Sequence, residues 1–530
     1  MPAAAVLAYH DRSKHRFDRY APGPRGLDWA NQPDPFRSFA GVEAIKLPLA
    51  ADGLPTRFND IVRGDLPAPF AFDVRTVAML FELSLGLSAW KSYGSTRWAL
   101  RCNPSSGNLH PTEAYLLCAS IPGLADGVYH YLSREHLLER RAVLDDARWT
   151  SAFAGNGFLV GVSSIHWREA WKYGMRGWRY CQHDCGHAIG ALCYAAAALG
   201  WHTCLLDGAS NHLVATLVGL DREQDFADAE GEAADCLLWI GNGGALPSLE
   251  RMREAALEAR WFGHANRLSA EHVQWPQIDA IEHATEKPAT TDHPAPLHAA
   301  LPPPASPALD LPFATLARQR RSAVAFDGRT TISAEQFFAM LDALLVREHV
   351  PPWSALPWPP SVHVALMVHR VTGLDPGLYL FLREPSILSE LRETLRADWL
   401  WQKAGPAHLP LFLMLPHDLR ATAKAISCHQ DIAADGCFAL GMLAPVGNAI
   451  DAPWRYRHLF WECGVLGHAL YLEAEAAGVR ATGIGCYFDD EMHRLLGLRG
   501  DRWQSLYHFT VGGPREDTRL STLPPYRFQP

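Results

Sequence analysis

The chain has 530 residues, 48% of them hydrophobic, with a formal net charge of −9 and a pI near 6.3. This length exceeds the size at which a single core stops growing, which predicts two or more domains. The acidic balance argues against a broad nucleic-acid or anionic-membrane surface and fits a small anionic ligand in a local basic pocket better.

The N-terminal stretch MPAAAVLAYHDRSKHRF turns polar before a signal-like apolar core develops. No run approaches the roughly 18 apolar residues of a membrane span. The eleven cysteines form no CxxC pair and are odd in number, which is typical of reduced thiols and not of a disulfide framework. The sequence therefore predicts a soluble, cytoplasmic protein.

The stretch RCNPSSGNLHP, residues 101–111, places small and turn-forming residues between apolar segments. Such residues tolerate tight backbone geometry, so the stretch is either an ordinary turn or a loop that presents bare backbone N–H groups to a ligand. It occurs once, in a chain that otherwise repeats itself.

Three segments recur in the same order on either side of a proline-rich stretch. GVYHYL at 127–132 is echoed by GLYLFL at 377–382, DCGHAIGALCYAAAALG at 184–200 by ECGVLGHALYLEAEAAG at 462–478, and LLWIGNGG at 237–244 by HFTVGGP at 508–514. Offsets of roughly 250 to 280 residues indicate a diverged duplication. The stretch 288–312 between the copies contains eight prolines and predicts a linker.

Local patterns predict an α+β unit in each half. In SAEQFFAMLDALL, Ser333 and Gln336 suit a capping box, and one buried face is formed by Phe337, Met340, Leu341 and Leu344. The middle repeat predicts two helices rich in Ala and Gly that end at Gly200 and Gly478. Since small residues permit close approach of another backbone, we expect these helices at the centre of the molecule, packed against each other.

The segment CQHDCGH at 181–187 contains residue types that ligate metals. On a helix its cysteines share one face and its histidines lie about 200° away, so the four cannot converge on one ion. We expect core cysteines beside hydrogen-bonded histidines and no metal, while a two-ligand site completed from elsewhere stays open. The GNGG and GIG stretches do not form a GxGxxG dinucleotide fingerprint.

Several segments resemble the signature segments of the nitroreductase family of flavin enzymes. They are NPSSGNLHP at 103–111, RQRRSAVAFDG at 318–328, GIGCYFDDEMHRLLGL at 483–498 and HFTVGGPREDTRL at 508–520. WKYGMRGWRYCQHDCGHAIGAL at 171–192 resembles the SagB-type, azoline dehydrogenase-like branch. The resemblance implies an α+β fold with two tandem nitroreductase-like domains and FMN as the cofactor.

In that family the flavin lies between two units, one supplying an Arg-x-Ser segment and the other a Pro-Ser-Ser loop. The first half here carries the loop but reads PTRFNDIVRGDLPAPFAF where Arg-x-Ser would stand. The second half carries Arg320 and Ser322 but reads PWPPSVHVALM where the loop would stand. We therefore expect an intramolecular pseudo-dimer with one complete flavin site.

The resemblance implies the cofactor contacts residue by residue. The family's phosphate-side positions are matched by Arg320, Ser322 and Arg519. Where the family often has a further basic residue, this chain has Val324, so Arg321 or Arg101 would supply the positive charge instead. The alternative is that RQRR is a solvated basic run. The flavin loop would comprise Pro104, Ser105, Ser106, Gly107 and Asn108, and backbone near the isoalloxazine would come from Ile484, Gly485 and Cys486.

Lys172 and Tyr173 are the catalytic candidates. In azoline dehydrogenases a Lys-Tyr pair assists proton removal while hydride passes to the flavin, and a lysine serves as a base only where part of it is neutral. The alternative is an exposed helix lysine beside a packed tyrosine. The second copy offers no equivalent pair at IDAPWRYR.

We expect an N-terminal extension at 1–50 that wraps one edge, domain 1 at 51–250, a linker at 251–311 and domain 2 at 312–530. The expected function is hydride transfer between an organic substrate and FMN, most specifically by a SagB-type dehydrogenase of a heterocycle in a modified peptide. Two alternatives stay open: an NAD(P)H-dependent reductase of nitroaromatics, quinones or enones, and a flavin- or partner-binding protein without turnover. The expected partner is a small-molecule or peptide substrate, with neither nucleic acid nor membrane. The internal pseudo-dimer removes the need for the homodimer of the family, so that a monomer and further self-association both stay open.

Overall fold

The computed structural model describes residues 2–153, 155–291 and 300–526. The first half contains α1 (Pro2–Arg12), β1 (Phe39–Ala40), β2 (Glu43–Lys46), α2 (Phe58–Arg63), α3 (Val74–Ser84), β3 (Leu87–Tyr93), β4 (Thr96–Arg101), β5 (Thr112–Cys118), β6 (Gly127–Leu132), β7 (Leu137–Val143), α4 (Ala147–Ala152), β8 (Gly157–Ser164), α5 (His166–Tyr173), α6 (Gly177–Ala198), β9 (His202–Leu205), α7 (Asn211–Val218), β10 (Ala233–Gly241), α8 (Leu249–Glu258), β11 (Arg260–Trp261), β12 (His264–Ala265) and α9 (Pro276–Ala284).

The second half contains α10 (Phe313–Gln319), β13 (Ile332–Ser333), α11 (Ala334–Asp342), β14 (His363–Val368), β15 (Val371–Thr372), β16 (Gly377–Phe381), α12 (Leu388–Thr394), β17 (Gln402–Lys403), β18 (Leu411–Pro416), α13 (Arg420–Ile426), α14 (Ile432–Asp435), β19 (Phe438–Pro445), α15 (Arg455–Ala476), β20 (Arg480–Ile484), α16 (Asp489–Leu496), β21 (Trp503–Gly512) and β22 (Ser521–Leu523). Among the described residues, no helix has the length and apolar character needed to cross a bilayer.

The two halves share one sheet topology. The five-strand order β6-β5-β8-β10-β9 in the first half corresponds to β16-β14-β19-β21-β20 in the second, and every neighbouring pair is antiparallel. The three repeated sequence segments lie on matching elements: β6 and β16, α6 and α15, and β10 and β21. The duplication read from the sequence is therefore a duplication of the fold.

Helices α6 and α15 pack against each other at the centre of the molecule, as their small residues predict. A Cβ atom added at Gly186 would lie 2.2 Å from the Trp461 carbonyl oxygen, and one added at Gly464 would lie 2.2 Å from the His183 carbonyl oxygen. These two contacts use corresponding positions of the two copies, so the crossing has approximate twofold symmetry. Backbone contact of this kind is open only to glycine.

We expect Gly464→Ala to destabilise the protein, although alanine is the better helix former by about 1 kcal/mol. The new Cβ atom meets a backbone oxygen that cannot rotate away, and overpacking of this kind costs about 1 to 3 kcal/mol. Chemical denaturation measures the change in the free energy of unfolding. Gly26→Ala is the matched control, because a Cβ atom there meets nothing within 4 Å. Equal unfolding midpoints for the two variants would contradict the close crossing.

Local sequence signals in the second half are confirmed. Ser333 caps α11, and the Gln336 side chain closes the capping box by accepting from the Ser333 backbone N–H at 2.9 Å. The predicted apolar face is buried, with Phe337, Met340, Leu341 and Leu344 each at most 1% exposed. Both central helices end at a glycine of positive φ, 72° at Gly200 and 74° at Gly478.

The segment 251–311, predicted as a linker, is structured over much of its length. Strand β11 pairs with β7, β12 pairs with β1, and α9 packs on α1, so residues up to 284 complete the edge of the first half. The prediction was wrong there because the proline-rich composition marks only the later part of the segment. Residues 292–299 of the proline-rich stretch lie outside the described residues.

Both chain ends cross between the halves. In the N-terminal segment, Tyr9 Oη donates to the Met175 carbonyl of the first half at 2.8 Å, while His10 Nδ1 lies 2.8 Å from Tyr456 Oη of the second. Near the C-terminus, β22 adds an antiparallel strand to the β3–β4 hairpin of the first half. The halves are thus joined by exchanged segments as well as by the central helices.

Candidate functional site

A cavity of about 440 Å³ lies between the two halves and is lined by both of them. This volume is within the range of small-molecule and cofactor sites. From the first half it takes the loop 103–108 together with Tyr173, Tyr180, Asp184 and His187, and from the second half the segments 320–324, 482–486 and 514–517 together with Tyr471 and Tyr507.

The PSSGN loop leaves β4 and docks onto helix α6. The Ser106 backbone N–H and hydroxyl both donate to the Asp184 carboxylate, at 3.1 and 3.0 Å, and Ser105 Oγ accepts from the His110 backbone N–H at 2.8 Å. Burial raises the pKa of Asp184 to about 7, although the serine hydrogen bonds oppose that rise. The loop is therefore an ordered wall of the cavity, which supports the ligand-loop alternative over the ordinary turn.

The second half has an acid at the position that corresponds to Asp184. Glu462 accepts backbone N–H groups of Ser361 and Val362 at 3.0 and 3.1 Å, and it is ion-paired with the buried Arg383. In both copies an acid at this helix position anchors a loop by accepting its backbone N–H groups. In the second copy the acid, Glu462, is also ion-paired with Arg383.

Lys172 and Tyr173 end helix α5 and lie against the PSSGN loop. A Cβ atom built on Gly107, where φ is 59°, would lie 2.5 Å from Tyr173 Oη and 3.2 Å from Lys172 Nζ. Lys172 Nζ lies 5.2 Å from the centre of the Tyr173 ring. Tyr173 lines the cavity directly, and burial raises its pKa well above the usual range. The structure therefore brings the predicted pair together with the predicted loop.

Glu169 was missed by the sequence analysis. Its side chain is fully buried one helical turn before Lys172, and neither carboxylate oxygen has a hydrogen-bond partner among the described residues. Burial raises its pKa well above the usual range, and the nearby Asp184 raises it further. Lys172 opposes this rise in the pKa of Glu169 but does not outweigh it. No motif marks this residue, because an i, i+3 Glu-Lys spacing is common on exposed helices.

Arg320 reaches across the interface to the first half. It is 3% exposed, and its Nε and Nη2 donate to the carbonyls of Cys102 and Arg101, each at 3.0 Å. Its Nη1 is buried without a hydrogen-bond partner among the described residues. The guanidinium carbon lies 5.0 Å from the centre of the Tyr471 ring. A buried, positively charged N–H group without an acceptor favours the binding of an anionic group that can accept its hydrogen bond.

The other two arginines predicted near the phosphate, Arg321 and Arg101, are largely hydrogen-bonded to other groups of the protein. Arg321 donates across the interface to the Ser88 hydroxyl at 3.2 Å and to the Ser88 carbonyl at 3.3 Å. Arg101 donates to the carbonyls of Thr112 and Pro35, and its Nε has no hydrogen-bond partner among the described residues. Both line the cavity. The alternative of a solvated RQRR run does not describe Arg320 or Arg321, because their guanidinium groups bond across the interface.

Arg519 departs from expectation. Its side chain is 72% exposed, pairs with Asp517 at 2.8 Å and is not among the residues that line the cavity. The basic residues of this region that do line it are Lys91, Arg480 and Arg515. Sequence order could not distinguish Arg515 from Arg519, since both follow β21 within one irregular segment.

The end of β20 contributes backbone to the cavity. Ser322 Oγ lies 2.7 Å from Tyr471 Oη, which accepts the Gly483 backbone N–H at 3.0 Å. A Cβ atom on Gly485 would lie 2.4 Å from the Tyr180 ring, so this glycine is required by a protein side chain of the other half. Ile484 turns its side chain into the core and is 3% exposed.

The histidines of α6 face the second half. His183 Nε2 lies 3.1 Å from the Leu506 carbonyl oxygen and His187 Nε2 lies 3.2 Å from Tyr507 Oη, whereas Cys185 interacts with Cys236. Within the ranges that the structure describes, no group of three or more His, Cys, Asp or Glu residues is arranged to hold a metal ion.

Fold and site together define a two-domain α+β protein with a cavity shared between its domains. The sequence model of the Nitroreductase family matches residues 94–228 and 317–513, and the chain belongs to that family of oxidoreductases. Both matched regions contribute residues to the wall of the shared cavity, while Lys91 and the segment 514–517 of that wall lie just outside them.

The chain is also similar to individual proteins. A protein of Methanocaldococcus jannaschii named as a nitroreductase is 29% identical over 134 residues, which cover 23% of this chain and 66% of that protein, slightly less than two thirds of its length. A crystal structure of a nitroreductase from Anabaena variabilis has 20% identity and a TM-score of 0.69, covering 96% of this chain and 99% of that one. A chain of the Escherichia coli microcin synthetase McbBCD complex has 19% identity and a TM-score of 0.28, covering 46% and 94%. The Anabaena structure shows that the fold similarity extends over nearly the whole chain.

Proposed function

We propose that the protein is an FMN-dependent oxidoreductase that binds one flavin per chain in the cavity between its halves. The observation that carries the proposal is the meeting, in one cavity, of the unpartnered Arg320 donor from one half with the PSSGN loop and Tyr173 from the other. Each half supplies what the other lacks, and an anionic cofactor that bridges the halves accounts for that division.

The residues present fit FMN. Arg320 would hold the phosphate, because a buried guanidinium N–H without a partner is costly unless an anion accepts it. Arg321 and Arg101 add positive charge nearby, and Ser322 and the backbone at 483–486 face the same cavity. When bound, FMN would supply the hydride acceptor, chemistry that amino-acid side chains do not provide.

More specifically, we propose that the substrate is a heterocycle in a modified peptide, and that the pair of Lys172 and Tyr173, of which Tyr173 lines the cavity, takes up a proton from it as hydride leaves. Lys172 forms no ion pair within 4 Å among the described residues, and the burial that raises the pKa of the neighbouring Glu169 disfavours a carboxylate there. Tyr173 Oη, which stays protonated because of its burial, can donate a hydrogen bond to the substrate. These residues would orient the substrate and accept its proton.

The cofactor prediction is one FMN per chain. Purified protein should be yellow, and denaturation should release close to one equivalent of FMN, quantified by absorbance against the protein concentration. Two equivalents per chain, or none after reconstitution with FMN, would contradict the shared site.

The substrate class is tested separately on flavin-loaded protein. Oxidation of a peptide that contains a thiazoline or oxazoline supports the dehydrogenase. Rapid reduction of the bound flavin by NADPH, with no oxidation of that peptide, would favour the NAD(P)H-dependent reductase instead.

A further inference from the structure

Two cysteines of the second half lie opposite each other at the rim of the cavity. The Phe488 backbone N–H donates to the Ile426 carbonyl at 2.8 Å, and Gln430 Nε2 donates to the Cys486 carbonyl at 2.9 Å. These bonds connect the segment after α13 to the segment after β20 in opposite directions. They hold Cys428 beside Cys486, with the two side chains within hydrogen-bonding reach of each other.

Exposure distinguishes this pair from most other cysteines of the chain. Cys428 and Cys486 are free and partly exposed, and Cys486 lines the cavity. Cys204, on β9 of the first half, is partly exposed as well but is not part of the cavity wall. The remaining eight cysteines are buried. Reagents in solution can therefore reach the pair.

The surroundings of Cys486 favour a thiolate. The Ala21 backbone N–H donates to His15 Nδ1 at 2.9 Å, which places the proton of the neutral ring on Nε2, and the His15 side chain hydrogen-bonds to Cys486. The Arg176 guanidinium is anchored close by, donating to the Gly485 carbonyl at 3.0 Å. The other titratable groups that face the pair include Tyr20, Tyr180 and Asp489.

The two sulfurs are thereby made different. Hydrogen bonding from Cys428, with help from His15 and Arg176, lowers the pKa of Cys486 to about 5 against the opposing effect of burial. The hydrogen bond to Cys486, followed by burial, raises the pKa of Cys428. The Cys486 sulfur is therefore suited to attack an oxidant as a thiolate, whereas the Cys428 sulfur stays protonated as a thiol.

We propose that Cys486 and Cys428 form a reversible thiol–disulfide pair at the cavity rim, with a peroxide as the oxidant. The Cys486 thiolate attacks a peroxide oxygen, the O–O bond breaks, and protonation gives a sulfenic acid and water. The Cys428 thiol then attacks the sulfenic sulfur, forming the S–S bond and releasing a second water. Overall, two thiols lose two electrons and two protons and hydrogen peroxide becomes two waters, while a dithiol reductant reverses the change.

The test uses the full-length protein treated with hydrogen peroxide, followed by peptide mapping without reduction. Wild type and Cys204→Ser should form the Cys428–Cys486 disulfide and lose it with dithiothreitol. Cys428→Ala should form no disulfide and should instead carry sulfinic acid at Cys486, since the resolving thiol is gone. These readouts need neither flavin nor substrate, so they are independent of the proposed oxidoreductase function.

Alkylation provides a second measurement that does not depend on oxidation. At pH about 6, iodoacetamide should label Cys486 of wild type about ten- to a hundred-fold faster than Cys486 of Cys428→Ala, which lacks the stabilising thiol. Equal labelling rates, or a peroxide product in wild type without the Cys428–Cys486 bond, would overturn the proposal. Circular dichroism on each variant establishes that it is folded.

Discussion

Replacing Lys172 with alanine is expected to leave FMN bound and to slow substrate oxidation about a hundred- to ten-thousand-fold, the usual contribution of a positioned acid–base group. Lys172 Nζ lies close to Gly107 of the PSSGN loop, but Lys172 is not among the residues that line the cavity wall. Its loss should therefore remove the proton acceptor without removing a cofactor contact.

The experiment compares flavin content with the rate of oxidation of an azoline-containing peptide in a single turnover. Tyr173→Phe should fall between wild type and Lys172→Ala, because it keeps the packing and removes only the hydroxyl. Lys424→Ala is the control, since that lysine lies on the surface in an ion pair with Asp431. A wild-type oxidation rate in Lys172→Ala would show that Lys172 is not the base.

Arg320→Ala is expected to weaken FMN binding by about 2 to 5 kcal/mol, the range for removing one partner of a buried charge pair. Titration of the flavin-free protein with FMN measures the effect. Arg519→Ala is the matched control: its side chain is 72% exposed and paired with Asp517, so its effect should stay within about 0.5 kcal/mol.

Arg320 also donates to the carbonyls of Arg101 and Cys102, so its loss could act through the protein alone. Titration with riboflavin, which lacks the phosphate, separates the two effects. If Arg320 holds the phosphate, Arg320→Ala should weaken FMN binding far more than riboflavin binding. Equal losses for the two flavins would assign Arg320 a structural role, and an unchanged FMN affinity would reject the contact.

The core of the fold was predictable because its signals are local or repeated. Capping at Ser333 depends on residues three positions apart, and the central helices are marked by small residues and a terminal glycine in both copies. The complementary losses of the two halves also predicted a shared site, and one cavity does contain the PSSGN loop, Arg320 and Ser322.

Other features depend on contacts between residues far apart in the chain. The N-terminal segment supplies His15 beside Cys486, and β22 pairs with β3 of the opposite half. The need for glycine at position 485 comes from the Tyr180 ring. None of these partners has a sequence pattern that points to the other.

The sequence by itself determined that the chain contains two related α+β units whose helices α6 and α15 can approach closely, because caps, helical periodicity and small residues are local signals and the repeat is visible when the two halves are compared. That the halves divide one site between them was implied by the resemblance to the nitroreductase family. Only the tertiary structure decided which charges enter the cavity. It turned Arg519 to solvent, and among the described residues it left the buried Glu169 carboxyl group and one Arg320 N–H without a hydrogen-bond partner. Burial sets the free-energy cost of leaving a polar or charged group without a partner. How deeply each group is buried depends on how the two halves and both terminal segments pack around the cavity.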